Sequence, residues 1–218
     1  MILVGLTGKK SSGKDTVAQA LIDEGKRTGL TVVRRGFADS MKLSVCRLFH
    51  PEYTLEEAVA WADALKSQQL GTVTMFMPQN ERDVPEQVKI TGRELLQRYG
   101  TEAHRDVFGF DFWVDQLLPM GRVAGLGIPT WGSEWQFAHG LDEIIDVAVV
   151  SDVRFENEAS RICALGGYVI RVERHGLDNG DAHASEVPIE SRYIAQTILN
   201  DGAIDELRAK ASLLLRYV

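Results

Sequence analysis

The sequence predicts an α/β fold of three layers, with a five-stranded parallel sheet covered by helices on both faces. Three observations carry that expectation. The candidate strands are apolar almost throughout, as strands buried on both faces must be. Segments of helical spacing separate them. Glycine closes two of those segments, at Gly29 and at Gly166–Gly167, where a left-handed residue ends a helix.

The elements follow in order. "ILVGLT" (2–7) is a short apolar run bounded by glycine and reads as the first strand. After "GKKSSGKDT" (8–16), Val17, Ala18, Leu21 and Ile22 recur at helical spacing. "TVVRRGF" reads as a second strand ending near Asp39, and "SMKLSVCRLF" as a helix. Thr54 with Glu57 forms a capping box ahead of a helix through Trp61 and Leu65. Residues 66–90 lose periodicity and read as a mobile excursion. Thr91 with Glu94 forms a second capping box, opening a helix that carries Leu95, Leu96 and Tyr99. "FDFWVDQLL" is helical as well. Residues 121–140 are glycine-rich, hold Trp131 and Trp135, and read as an insertion. "DVAVVSD" is the third strand, "FENEASRICALGG" a helix and "YVIRVE" the fourth strand. Residues 174–191 are polar and read as a second mobile lid. "QTILND" is the last strand, and residues 203–217 form an amphipathic closing helix.

A chain of 218 residues with 44% apolar and 25% charged residues suits one ordinary domain with a core large enough to fold without staples. No apolar run approaches the ~18 residues that a membrane helix needs. The N-terminus is apolar first and basic afterwards, the reverse of a secretory signal. A formal charge of -7 with no long basic stripe excludes a general nucleic-acid binder. An anionic ligand would be held by a few placed cations. Cys46 and Cys163 lie far apart without metal-site spacing and read as buried free thiols of a reducing compartment.

The chemistry begins at the first loop. Gly8, Gly13 and Lys14 match the spacing of a phosphate-binding loop, G-x-x-x-x-G-K, between a strand and a helix. Backbone N–H groups of Gly8, Lys9, Lys10, Ser11, Ser12 and Gly13 would cradle phosphate oxygens at the helix start. Lys14 would reach the outer phosphates as a point charge. Asp15 stands where the motif has a metal-binding hydroxyl; a carboxylate is also a hard-oxygen ligand, directly or through water. Thr16 can still offer a hydroxyl to an inner phosphate.

"GKKSSGKDT", "GRELLQRYGTEAHRD", "FWVD", "VVSDVRFENEA" and "HASE" followed by "ILNDG" occur in an order that resembles phage-type deoxynucleoside monophosphate kinases, of the P-loop kinase superfamily. The GKDT ending, with its aspartate, is shared by that group. The resemblance runs from the first strand to the closing helix; residues 121–140 match nothing in it. It implies ATP as phosphoryl donor, Mg²⁺ as cofactor and a deoxynucleoside monophosphate as acceptor. It also implies a cytoplasmic location, the host's if the chain is phage-encoded, and leaves room for a homodimer.

Phosphoryl transfer needs positioning and charge neutralisation more than covalent chemistry, so arginines matter more than histidines. Arg93 and Arg105, with Gln97 and Thr101 between them, are the candidate acceptor residues on one helix and its exit. Asp152 follows an apolar strand, at the edge where parallel sheets place ligands, with Arg154 two residues on. Asp152 is a candidate for Mg²⁺, with Asp15, or a cap of the following helix. Asp39 and Lys42 follow the second strand, where the resemblance implies contact with the acceptor; a carboxylate placed against the helix dipole is the plainer reading of Asp39. Arg174 is the candidate lid arginine, with Arg171 a strand residue. His183, Ser185 and Glu186 would order that lid. Asn200 and Gly202 would border the adenine by analogy, or form a simple turn. Trp131 and Trp135 are candidates for base stacking or core anchoring.

Two other readings stand beside this one. A P-loop kinase could take another phosphorylated acceptor, such as phosphomevalonate. A nucleotide-sensing module could keep the fold without turnover, using 121–140 as its partner surface. Lys14 together with Arg93, Arg105, Arg154 and Arg174 speaks against the sensor, which needs no acceptor-side cations.

Overall fold

Every strand of the main sheet runs parallel to its neighbours, in the order Val32–Arg35, Val147–Val150, Ile2–Thr7, Tyr168–Glu173 and Ile194–Leu199. The computed structural model describes residues 1–75, 86–119, 144–177 and 188–215. In chain order, β1 spans Ile2–Thr7, α1 Lys14–Thr28, β2 Val32–Arg35 and α2 Phe37–Arg47. α3 spans Leu55–Leu65, β3 Gln69–Met75, β4 Glu86–Thr91, α4 Gly92–Gly100 and α5 Phe112–Leu117. β5 spans Val147–Val150, α6 Glu156–Ala164, β6 Tyr168–Glu173, β7 Ile194–Leu199 and α7 Ile204–Leu214. The five parallel strands are those expected from the sequence.

The alternation of side chains along each strand sorts them into two cores. Val4, Leu6, Val147, Val149, Ile170, Val172 and Ile198 pack with Val17, Ala18 and Leu21 of α1 and Leu207 and Ala211 of α7. Leu3, Ala148, Val150 and Val169 face the other way, onto Val114 and Leu117 of α5 and Ala159 and Ile162 of α6. Helices thus cover both faces, which is why β1 and β5 show no polar alternation. β1 lies at the centre, between β5 and β6, and α1 opens at its carboxyl end. That end of a central strand is where ligands bind in sheets of this kind.

The chain divides into two compact units, residues 1–37 with 114–218 and residues 38–113. In the second unit, Val45, Ala62 and Leu96 form a small core with Met41, Trp61 and Tyr99 against it. Both capping boxes are present: Thr54 and Glu57 at α3, Thr91 and Glu94 at α4. The excursion expected over 66–90 contains structure. β3 and β4 pair antiparallel, from Gln69 opposite Thr91 to Met75 opposite Glu86, with a register shift between Gln69 and Thr72.

Two further expectations are corrected. β2 stops at Arg35 and α2 begins at Phe37, so Asp39 lies in a helical first turn. Cys46 is buried as expected, but Cys163 is exposed; both are free thiols. The closing helix is present as expected, over Ile204–Leu214, and residues 216–218 lie outside the described residues. The insertion at 121–140 with Trp131 and Trp135, and His183, Ser185 and Glu186, lie outside the described residues.

Candidate active site

The loop between β1 and α1 is built to present backbone amides. Gly13 precedes α1 in a left-handed conformation, φ 107°, and no side chain caps the helix. Ser11 is also left-handed, φ 64°. Gly13 offers the first-turn N–H groups of α1 no capping side chain, and left-handed residues at 11 and 13 are the kind of backbone from which an anion nest is made. Glycine is required at both ends. A Cβ on Gly8 would stand 2.2 Å from the Val172 carbonyl oxygen, and one on Gly13 would stand 2.6 Å from Asn200 Nδ2. Ser12 is 1% exposed, and its Oγ has no hydrogen-bond partner among the described residues. A buried hydroxyl without a partner is costly unless a bound ligand or water pairs with it.

Lys14 folds back over this loop. Its Nζ donates to the carbonyls of Gly8 at 2.6 Å and Lys9 at 2.8 Å. Asn200 ties the loop from below: its Nδ2 donates to the Ser12 carbonyl at 2.8 Å. Asn200 thus acts on the phosphate loop, a role the sequence reading did not give it. Gly202 is exposed, two residues further on. Lys9 reaches sideways, its Nζ donating to the Leu177 carbonyl at 3.2 Å, and Lys10 is exposed. Thr16 is half-buried in the first turn of α1.

Asp152 is engaged at the exit of β2. Its Oδ1 accepts from the Phe37 N–H at 2.8 Å, capping the start of α2. The α6 N-terminus is served instead by Glu158, which accepts from the N–H groups of Arg154 at 2.7 Å and Phe155 at 3.0 Å. The Arg154 side chain is exposed. Asp15 also has a partner: Arg34 of β2 donates from Nη2 to its Oδ1, and from Nε to Ser151 Oγ at 2.9 Å. Among the described residues, no three His, Cys, Asp or Glu side chains cluster as a metal site.

At the end of β6, Arg171 donates to the Ile189 carbonyl and lies 3.7 Å from Glu173, which fits the structural role expected of it. Arg174 is exposed just beyond the strand. Its neighbour His175 is fastened to Asp201, which accepts from the His175 N–H at 2.9 Å and meets Nδ1 at 2.6 Å. Those two hydrogen bonds hold the Asp201 carboxyl below its ordinary range.

In the second unit, Arg93, Gln97 and Thr101 are exposed at intervals of four residues, on one side of α4 and its continuation. From Thr101 to Arg105 the helix widens into a π turn, a distortion common at functional sites. Side chains hold it: Trp113 Nε1 donates to the Gly100 carbonyl at 2.9 Å, and His104 Nδ1 lies 2.7 Å from the Tyr99 carbonyl. Arg105 ends the turn with its guanidinium carbon 5.4 Å from the Phe110 ring centre. Lys42 is buried and largely neutralised, 3.2 Å from Asp63 and 3.7 Å from Asp39. Burial works to raise the Asp63 carboxyl, but the Lys66 hydrogen bond and the charges of Lys42 and Lys66 outweigh it and hold the carboxyl low.

Sequence reading missed Arg34, Ser151, His175 and Asp201. Arg34 had a signal: "VVRRGF" puts two adjacent arginines in a strand of only four residues. The others had none, because their partners are distant in sequence.

A phosphate loop at the carboxyl end of a central parallel strand, under helices on both faces, defines a P-loop kinase fold. The family model for deoxynucleotide monophosphate kinase matches residues 25–211. A provisionally named deoxynucleotide monophosphate kinase of Acanthamoeba polyphaga mimivirus is 30% identical over 94% of this chain and 92% of its own. The chain belongs to the deoxynucleotide monophosphate kinase family. The deoxynucleotide monophosphate kinase of Escherichia phage RB69 is 30% identical over 57% of this chain, which spans 44% of the phage protein. A dephospho-CoA kinase of Corynebacterium glutamicum is 27% identical over 100% of this chain and 98% of its own. The protein is an enzyme of the nucleotide kinase class, using ATP as donor. No helix among the described residues is long and apolar enough to cross a membrane.

Proposed function

We propose that the chain transfers the γ-phosphoryl group of ATP to a deoxynucleoside monophosphate, with residues Gly8 to Thr16 as the donor site. The observation that carries this reading is the loop: an uncapped α1 start, two left-handed residues and a buried, unpartnered Ser12 hydroxyl. Each of these favours an anion at the same place. Lys14 would leave the carbonyls of Gly8 and Lys9 and follow the charge that moves between the outer phosphates.

An oxygen of the acceptor phosphate attacks the γ-phosphorus, the bond to the β-phosphate oxygen breaks, and ADP leaves with that charge. The acceptor's second pKa is about 6, so it is already ionised at neutral pH and needs no strong base. The chain's task is to place two anions in line and neutralise them. Arg93 and Arg105 would grip the acceptor phosphate, with Gln97 and Thr101 reading the nucleoside from the same side of the helix. Arg154 and Arg174, both exposed, would add charge at the transferring group. Asp39 would meet the sugar; Lys42, buried between Asp39 and Asp63, would orient it. Gly202 would leave room for the adenine beside Asn200.

Magnesium fits here as the nucleotide's own ion. Mg²⁺ keeps several waters and binds one or two carboxylates along with substrate phosphates. Asp152 is the carboxylate offered, which suits an ion held chiefly by phosphate and water. It would neutralise charge on the phosphates when bound.

The test is an acceptor screen with ATP and Mg²⁺ over dAMP, dCMP, dGMP and dTMP. ADP and a deoxynucleoside diphosphate should form with at least one of them. If all four stay unphosphorylated, the acceptor assignment fails.

A further inference from the structure

We infer that Asp15 is the anchor of Arg34 rather than a magnesium ligand, and that Arg34 is a positioning residue linking the phosphate loop to the turn that carries Asp152. This rests on the kinase reading above and deepens it.

The aspartate occupies the loop position where a hydroxyl ordinarily binds the metal. In this chain its carboxylate faces a guanidinium. Arg34 donates from Nη2 to Asp15 Oδ1, and its Nε is fixed at the same time by Ser151 Oγ at 2.9 Å. Ser151 is 7% exposed and is itself held to β2, its N–H donating to the Arg35 carbonyl at 3.0 Å. The guanidinium is therefore clamped at two points by groups from different elements. One is the first turn of α1, next to Lys14; the other is the residue before Asp152. A divalent cation on Asp15 would have to sit against that fixed positive charge, which repels it.

Stability is not the reason for the pair. Asp15 is 83% exposed and Arg34 37%, and pairs as open as this add little to folding free energy. A planar guanidinium can instead hold two partners in a set geometry, which an ammonium cannot. Its effect belongs in the orientation of Lys14 and Asp152, where a small misplacement is costly to rate. A loop hydroxyl could accept from Arg34 but carries no charge to pair with it, so aspartate at this position and arginine in β2 form one device.

The experiment compares the unaltered chain with Asp15→Asn, Arg34→Gln, the double variant and Arg34→Lys. ATP affinity is measured by calorimetric titration in Mg²⁺ and again in EDTA, alongside kcat, KM and melting temperature. Each single variant should lower kcat about fivefold or more, and the double should fall no further than the worse single, as for residues acting as a unit. The ratio of ATP affinities with and without Mg²⁺ should stay near that of the unaltered chain, and melting temperatures should barely move. Arg34→Lys should recover only part of the rate. A loss of ATP affinity confined to Mg²⁺ in Asp15→Asn and absent in Arg34→Gln would overturn the inference, making Asp15 a metal ligand. Additive losses, or unchanged kinetics in both singles, would overturn it too. Failure of the unaltered chain to bind ATP in either buffer would instead remove the kinase reading on which it stands.

Discussion

Asn200 offers a direct probe of how the phosphate loop is held. Its Nδ2 donates to the Ser12 carbonyl at 2.8 Å, across 188 residues of sequence. In Asn200→Ala the donor disappears and the carbonyl must find water. A typical net hydrogen bond contributes about 0.5–1.5 kcal/mol, and an acceptor stranded without water costs about 1–3 kcal/mol. Asn200 is half-buried, so water can reach the carbonyl and the lower range applies, about 1 kcal/mol. If that loss falls on the loop conformation that binds phosphate, ATP binding weakens about fivefold, since 1.4 kcal/mol is tenfold. Asn200→Asp should do worse, because it presents an acceptor to an acceptor and adds negative charge beside a triphosphate. Initial rates over a range of ATP, at saturating acceptor, give the ATP KM; calorimetric titration gives the affinity. An Asn200→Ala variant with unaltered ATP KM and unaltered affinity would refute the view that this amide shapes the donor site.

Lys14→Ala should abolish turnover while the circular dichroism spectrum and melting temperature stay close to those of the unaltered chain; retained turnover would remove Lys14 from the chemistry. Thr91→Ala removes the cap of α4, which should cost about 1 kcal/mol. It should also raise the acceptor KM more than the ATP KM, because α4 carries Arg93 and Gln97. For Asp201 the pH dependence has a definite sign. Its folded pKa is depressed by the hydrogen bonds from His175, so the stabilisation is present above the unfolded value of about 3.9 and fades as pH falls through the lower folded value. Melting temperatures of the unaltered chain and Asp201→Asn should therefore converge on acidification below about pH 4; a gap that widens would contradict the assignment.

Local chemistry was legible in the sequence and long-range pairing was not. β1, β5 and β6 could be read because burial leaves them largely apolar, β2 survived Arg34 and Arg35, and β7 was legible although most of it is exposed. Thr54–Glu57 and Thr91–Glu94 could be read because a capping box closes within four residues. The β3–β4 pair escaped because "QLGTVTM" and "EQVKIT" mix polar and apolar residues without a core-facing run. Asp152 could be placed at the sheet edge, but its partner, the Phe37 N–H, lies 115 residues away. In the same way, nothing near Lys42 in sequence announces Asp63, which turns a candidate acceptor cation into a buried, paired one. Cys163 looked like a core thiol because it shares a helix with buried Ala159 and Ile162, yet it lies on that helix's exposed side.

The most direct measurement is a backbone-amide NMR titration of the chain with ATP. Shifts concentrated on Gly8 to Thr16, largest at the amides that open α1 and much reduced in Lys14→Ala, are the predicted result. A chain that phosphorylates a deoxynucleoside monophosphate while those amides stay where they were would place the donor phosphates elsewhere and contradict the mechanism.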